Sequence, residues 1–206
     1  MTDSSSGSTA LGGRLAVNFA NLPSLPASPR DGSLSWEDLI GFLRTARIVS
    51  PERAEELMGL TVADPRSAFR LLNRAERLRD ALRFAFRQLA HRQPMRREHV
   101  QPINDVLQVT EGHDELVETA ESWRIEYVAR EDGLDWLLAA VARSAAEIIS
   151  EGEATRVRLC ANPSCSLIFY DASRTHRRRW CSMSLCGNRH KVAAFARRQS
   201  SGRRGS

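Results

Sequence analysis

The spacing of apolar positions along the chain predicts a helix-rich body. Leu39, Ile40, Phe42, Leu43 and Ala46 form one stripe at three- and four-residue steps, and Ser35 with Asp38 supplies a capping box ahead of it. A helix is therefore expected over 36–48. Ser50-Pro51 and Asp64-Pro65 each set a capping side chain before a proline suited to the first helical position, which predicts helices over 51–58 and 65–91. In the latter, Leu71, Ala75, Leu78, Leu82, Phe86 and Leu89 mark a core face. Arg70, Arg74, Arg77 and Arg87 occupy its other faces, interleaved with Glu76 and Asp80; they read as a solvated surface and receive no site.

A weaker helix is expected over Pro94–Val109, with Pro102 near its first turn. Glu115–Glu118 and Trp123–Val128 alternate as two short strands that can pair as a hairpin. Asp132 then caps an apolar helix over 133–150, which Gly152 breaks. At the front, a glycine pair leads into the apolar run that ends at Leu22, which suits a strand, and Pro23, Pro26 and Pro29 make a loop after it.

Composition narrows the class. The 206 residues suffice for one ordinary domain and a small appendix. No stretch approaches the roughly 18 apolar residues of a membrane span, and the first eight residues carry neither the basic start nor the apolar core of a secretory signal, so a cytoplasmic protein is expected. The charge is uneven. Residues 156–206 hold 12 Arg and Lys against Asp171 alone, a net +11; the chain total of +5 leaves −6 for residues 1–155.

All four cysteines lie in that basic segment: Cys160-x4-Cys165, fifteen residues, then Cys181-x4-Cys186. Two close-spaced pairs can deliver four thiolates to one tetrahedral zinc ion. Two disulfides would require an oxidising compartment, for which the chain carries no export signal. Four cysteine ligands leave no open position for water, so the zinc is expected to be structural and to fold a segment with little core of its own. Asn162-Pro163 suits a tight turn between the first two ligands, and Ser166–Tyr170 suits a strand.

From Ser182 a helix is expected, with Cys186 in its first turn. At 100° per residue, Leu185, Val192 and Ala196, with Phe195 at the edge, face the zinc core, while His190, Lys191, Arg197 and Arg198 gather opposite. Together with Arg177, Arg178 and Arg179 in the preceding loop, this positive stripe is a candidate phosphate-contacting surface, and DNA the expected partner. Trp180 is expected to cap the small core, Arg189 to brace the zinc loop, and Asp171 to serve a turn or an internal arginine.

The run Arg179-Trp-Cys-Ser-Met-Ser-Leu-Cys-Gly-Asn-Arg189, with Lys191, Phe169-Tyr-Asp-Ala-Ser-Arg174 and the Cys160/Cys165 pair, resembles the CGNR zinc-finger family over about 158–198. The resemblance implies that the four cysteines ligate zinc and that the finger binds DNA. Gly13-Arg-Leu-Ala-Val-Asn-Phe-Ala-Asn-Leu22 resembles the start of the ABATE domain, which precedes that finger in stress-induced bacterial transcription regulators.

The expected architecture is α+β: a disordered leader (1–10), a helix-rich domain with a few short strands (11–155), and a ribbon or treble-clef-like four-cysteine finger ending in a helix (156–199), before a disordered tail (200–206). The expected function is zinc-dependent, DNA-binding transcription regulation. The body would sense a small-molecule effector of unknown identity or mediate a homodimer. Two alternatives remain: a finger that docks on a protein or RNA, and a redox switch in which thiolate oxidation ejects zinc. An enzyme is disfavoured, because His91, His99 and His113 are scattered and no Ser/His/Asp or glycine-rich phosphate motif occurs.

Overall fold

In the computed structural model, which describes residues 13–22, 32–109, 112–118, 123–129, 133–150 and 156–192, capping chemistry sets where the helices begin. In α2 (Trp36–Thr45) the Ser35 hydroxyl accepts from the Asp38 amide at 3.1 Å while the Asp38 carboxylate accepts from the Ser35 amide at 3.2 Å. Ser50 and Asp64 cap α3 (Pro51–Ala63) and α4 (Pro65–Ala90) through the amides of Arg53 and Ser67. The α3 helix runs past the expected stop at residue 58, through Gly59, as far as the Asp64 cap of the next helix. α5 (Arg97–Val109) begins later than expected and carries Pro102 as its sixth residue, inside the helix rather than in its first turn. Asp132 and Gly152, the leader, the proline-rich loop and the tail lie outside the described residues.

β1 (Gly112–Glu118) and β2 (Trp123–Ala129) pair antiparallel, Leu116 opposite Ile125. The helix expected from residue 133 instead starts as a 3-10 turn at Asp135–Leu138 and becomes α-helical as α6 (Ala139–Ser150). The finger adds a second antiparallel pair, β3 (Val157–Leu159) and β4 (Ile168–Tyr170). The class is α+β. No helix among the described residues is long and apolar enough to cross a membrane.

The opening apolar run is not a strand. Leu15–Ala20 forms the short helix α1, with Ala16, Val17, Phe19 and Ala20 all fully buried, an i, i+1, i+3, i+4 set that a strand would have split between two faces. Six residues cannot hold a helix alone in water, so other elements complete this one. The Ala16 amide donates to Ser144 Oγ of α6. Arg83 of α4 donates to the carbonyls of Ala20 at 2.6 Å and Leu22 at 2.7 Å, groups a helix end leaves open.

α1 also joins the body to the finger. Asn21, at its C-terminus, is buried, and its amide donates to the Ile168 carbonyl at 2.7 Å while accepting from the Ile168 amide at 3.0 Å. The side chain thus pairs with the outer edge of β4 as a third strand would. Gly13 covers the same edge: its φ of +78° is a left-handed conformation, and a Cβ there would stand 3.3 Å from the Tyr170 carbonyl oxygen. The Arg14 guanidinium lies 4.9 Å from the centre of the Tyr170 ring. Val157, Ile168 and Tyr170 accordingly belong to the same buried cluster as Phe19, Leu39, Leu78 and Leu82.

Replacing Asn21 by Ala leaves both Ile168 backbone groups buried and unpaired, which should cost about 2 kcal/mol or more. Urea unfolding should show that loss in one shared transition for body and finger. A change under about 0.5 kcal/mol, or two separate transitions, would count against a shared core.

Candidate metal centre and nucleic-acid surface

The four cysteines are delivered by two turns. Cys160 follows β3, and Cys165 closes a turn in which its amide donates to the Asn162 carbonyl at 2.9 Å, with Pro163 in between. In the second pair Cys181 precedes a widened helical turn, Met183–Gly187, and Cys186 sits within it, the amides of Cys186 and Gly187 both reaching the Ser182 carbonyl. The Ala161 amide donates to the Arg179 carbonyl at 2.8 Å and ties the turns together.

All four Sγ atoms lie within 4.8 Å of one another. The Cys165–Cys181 and Cys181–Cys186 sulfur pairs are 3.9 and 3.7 Å apart. That is far beyond the roughly 2 Å of a disulfide. It matches the edge of about 3.8 Å expected for a tetrahedron with metal–sulfur bonds of about 2.3 Å. Burial pushes the Cys165 thiol up to about 11 and the Cys181 thiol up as well, with neighbouring sulfurs adding to both. Burial would also raise Cys186, but the Asn162 amide, 3.5 Å from its sulfur, and the adjacent thiols outweigh this and lower it. Four thiolates this close repel one another; a divalent cation between them removes the conflict. The donor set fits zinc.

Behind the sulfurs, Asp171 is fully buried. It accepts from the Ser173 hydroxyl at 2.6 Å, the Ser173 amide at 3.1 Å and the Arg178 amide at 2.8 Å, with Arg158 Nε 3.6 Å away. Burial alone would raise its carboxyl; the Ser173 hydroxyl, the two amides and Arg158 together hold it below the ordinary carboxylate range. Asp171 thus serves both as a turn residue and as an internal arginine partner.

The expected phosphate-contacting residues divide. Arg177 and Arg179 are exposed. Arg178 points inward: it donates to the Trp180 carbonyl at 2.9 Å and to the Cys181 carbonyl, and its guanidinium lies 4.9 Å from the Phe169 ring centre. It holds the second knuckle and is taken up by the fold. Trp180 packs on the cluster of Cys160, Phe169, Cys181 and Cys186. Arg179 stands 5.4 Å from its ring centre, and the exposed His190 ring lies against it at 4.7 Å. Lys191 and Arg189 are exposed, while Ala196, Phe195, Arg197 and Arg198 lie outside the described residues.

One expectation fails. Leu185 and Val192, assigned to the face against the zinc core, are 48% and 69% exposed. The reason is the turn at Met183–Gly187: it closes on i→i+5 bonds, and the 100° step drawn from Ser182 does not apply to it. Its inward positions go to Cys186 and Gly187. His99, one of the scattered histidines, is partly covered: it lies against Phe84 at 4.4 Å and accepts from the Arg96 amide at 3.1 Å.

Sequence reasoning missed Asn21, Asn162 and the inward turn of Arg178. Only Asn162 carried a signal, its place beside Pro163, and that signal spoke of the turn rather than of the sulfur.

A β-hairpin and a widened helical turn presenting two cysteine pairs define a zinc finger, and the CGNR zinc-finger model matches residues 156–199. The body, residues 13–152, matches the ABATE family, described as "Putative stress-induced transcription regulator"; the chain belongs to that family. No curated protein matches the chain.

Replacing Arg178 by Ala removes two charge-assisted hydrogen bonds and should cost about 2 kcal/mol, read as a roughly 30-fold loss in zinc affinity by chelator competition. Arg177→Ala should leave that affinity unchanged. Equal effects would contradict the division between them. Stripping the metal with a strong chelator should lower the melting temperature of the whole chain, because β3 and β4 lie in the common core.

Proposed function

We propose that this chain is a zinc-dependent, DNA-binding transcription regulator of the cytoplasm whose body receives a stress or ligand signal. The observation that carries the reading is the exposed face of Arg177, Arg179 and Lys191, with the His190 ring, around Trp180, held by a four-thiol site that fixes its shape. One structural zinc per chain fills that site. Arg197 and Arg198 extend the stripe along the sequence. The body's net −6 would repel phosphate, leaving the finger as the part that approaches DNA. A homodimer would supply two such faces. No catalytic role is assigned to any residue.

Each phosphate-contacting cation contributes about 0.9 to the slope of log affinity against log salt. The combined variant Arg177→Ala, Arg179→Ala, Lys191→Ala should therefore weaken duplex binding and flatten that slope by about 2 to 3, with melting temperature and zinc content unchanged. The pair Arg197→Ala, Arg198→Ala should act in the same direction. An unchanged slope would place the nucleic-acid surface elsewhere. A second reading, docking on a protein, draws on Met183, Leu185 and Val192, exposed at 52%, 48% and 69% beside the basic face, since phosphates gain nothing from apolar side chains. It predicts only weak, sequence-independent DNA affinity, with no enrichment among genomic fragments.

A further inference from the structure

The arginines of α4 that sequence reading treated as a solvated face line a groove between α4, α5 and the 3-10 turn before α6. The groove encloses about 650 Å³, within the range of about 300–1,000 Å³ usual for small-molecule sites. Leu78, Pro102 and Val106 give it an apolar lining, and Arg70, Arg74 and Arg77 stand along it at i, i+4 and i+7.

The two acids that seemed to balance those arginines are engaged elsewhere. Glu76 accepts from the Leu34 amide at 2.9 Å, and Asp80 pairs with the buried Arg79 at 3.0 Å. Within the groove, Asp135 pairs with Arg74, and Asp105 accepts from Gln101 at 2.8 Å. Arg70 donates to the neutral Ser67 hydroxyl at 2.7 Å and lies within electrostatic reach of the Asp64 carboxylate. Arg77 is exposed and has no hydrogen-bond or ion-pair partner among the described residues. At the rim Phe69 is 68% exposed, although it is the largest apolar side chain lining the groove. The three arginines of the groove outnumber Asp105 and Asp135 by one, leaving Arg77 as a cation without a partner among the described residues; that cation and the uncovered aromatic each disfavour the free state, and one ligand relieves both.

We propose that this groove binds a small amphiphilic organic anion, an aromatic or fatty carboxylate or sulfonate. Its anionic head meets Arg77 and Arg70, and its apolar part lies on Phe69, Leu78, Pro102 and Val106. Arg74, already neutralised by Asp135, shapes the wall. A nucleic-acid backbone fits less well, because it brings charge with no apolar part for that lining. The proposal stands independently of DNA binding by the finger.

Calorimetric titration of the zinc-loaded full chain with 1-naphthoate and with decanoate tests this, with 1-naphthamide and inorganic phosphate as controls. At least one of the two carboxylates should bind saturably, one per chain, and more tightly than either control. Arg77→Gln and Phe69→Ala should each weaken that binding about tenfold. Both positions are exposed, so the circular dichroism spectrum and melting temperature should stay as in the parent. Several outcomes would overturn the proposal: no saturable binding of either carboxylate, affinity unchanged in both variants, naphthamide binding equally well, or phosphate competing as strongly as naphthoate. Displacement of naphthoate by a short duplex DNA in the Arg177→Ala, Arg179→Ala, Lys191→Ala background would instead make the groove a nucleic-acid surface.

Discussion

The paired hydrogen bonds between Asn21 and the backbone of Ile168 are the joint on which the rest of the structure depends. A two-stranded sheet leaves an outer edge whose amides and carbonyls need partners, and burying that edge without them is costly. A carboxamide carries one donor and one acceptor in the arrangement a backbone offers, so a single side chain closes the edge. Once it does, β4 can turn Ile168 and Tyr170 into the helical core, and α1 gains a neighbour that holds it folded. Arg83 completes the arrangement from α4 by satisfying the carbonyls α1 leaves open.

Inside the finger a similar economy applies to charge. Asp171, the one acid in residues 156–206, is fully buried and organises the loop that leads to the second cysteine pair. Arg178 spans from that loop to the carbonyls of Trp180 and Cys181. The site is therefore held by backbone groups that charged side chains have fixed, and Arg177 and Arg179, on either side of Arg178, are left to face solvent.

What could be read in advance follows from how local each signal is. The α2, α3 and α4 helices announce themselves through caps and periodicity within a few residues, and the four cysteines through spacing alone. α1 was misread because a short apolar run suits a strand or a helix equally until its neighbours are known. The exposure of Leu185 and Val192 was hidden because a widened turn shifts every later position, and no residue in the turn signals it. The arginines of α4 looked balanced because Glu76 and Asp80 are near in sequence. In space Glu76 is taken by the distant Leu34 amide, and Asp80 by its chain neighbour Arg79, whose burial only the fold could show.

The matched segments 13–152 and 156–199 meet in sequence as neighbours, but the contact surface does not respect that border. The hairpin of the second segment is seated against the first ten described residues of the other. A finger transplanted alone onto a foreign protein would leave its outer strand edge bare and sticky. To travel as a part, it has to bring Gly13–Leu22 with it, so the unit of inheritance here is a discontinuous one, built from the two ends of the described chain.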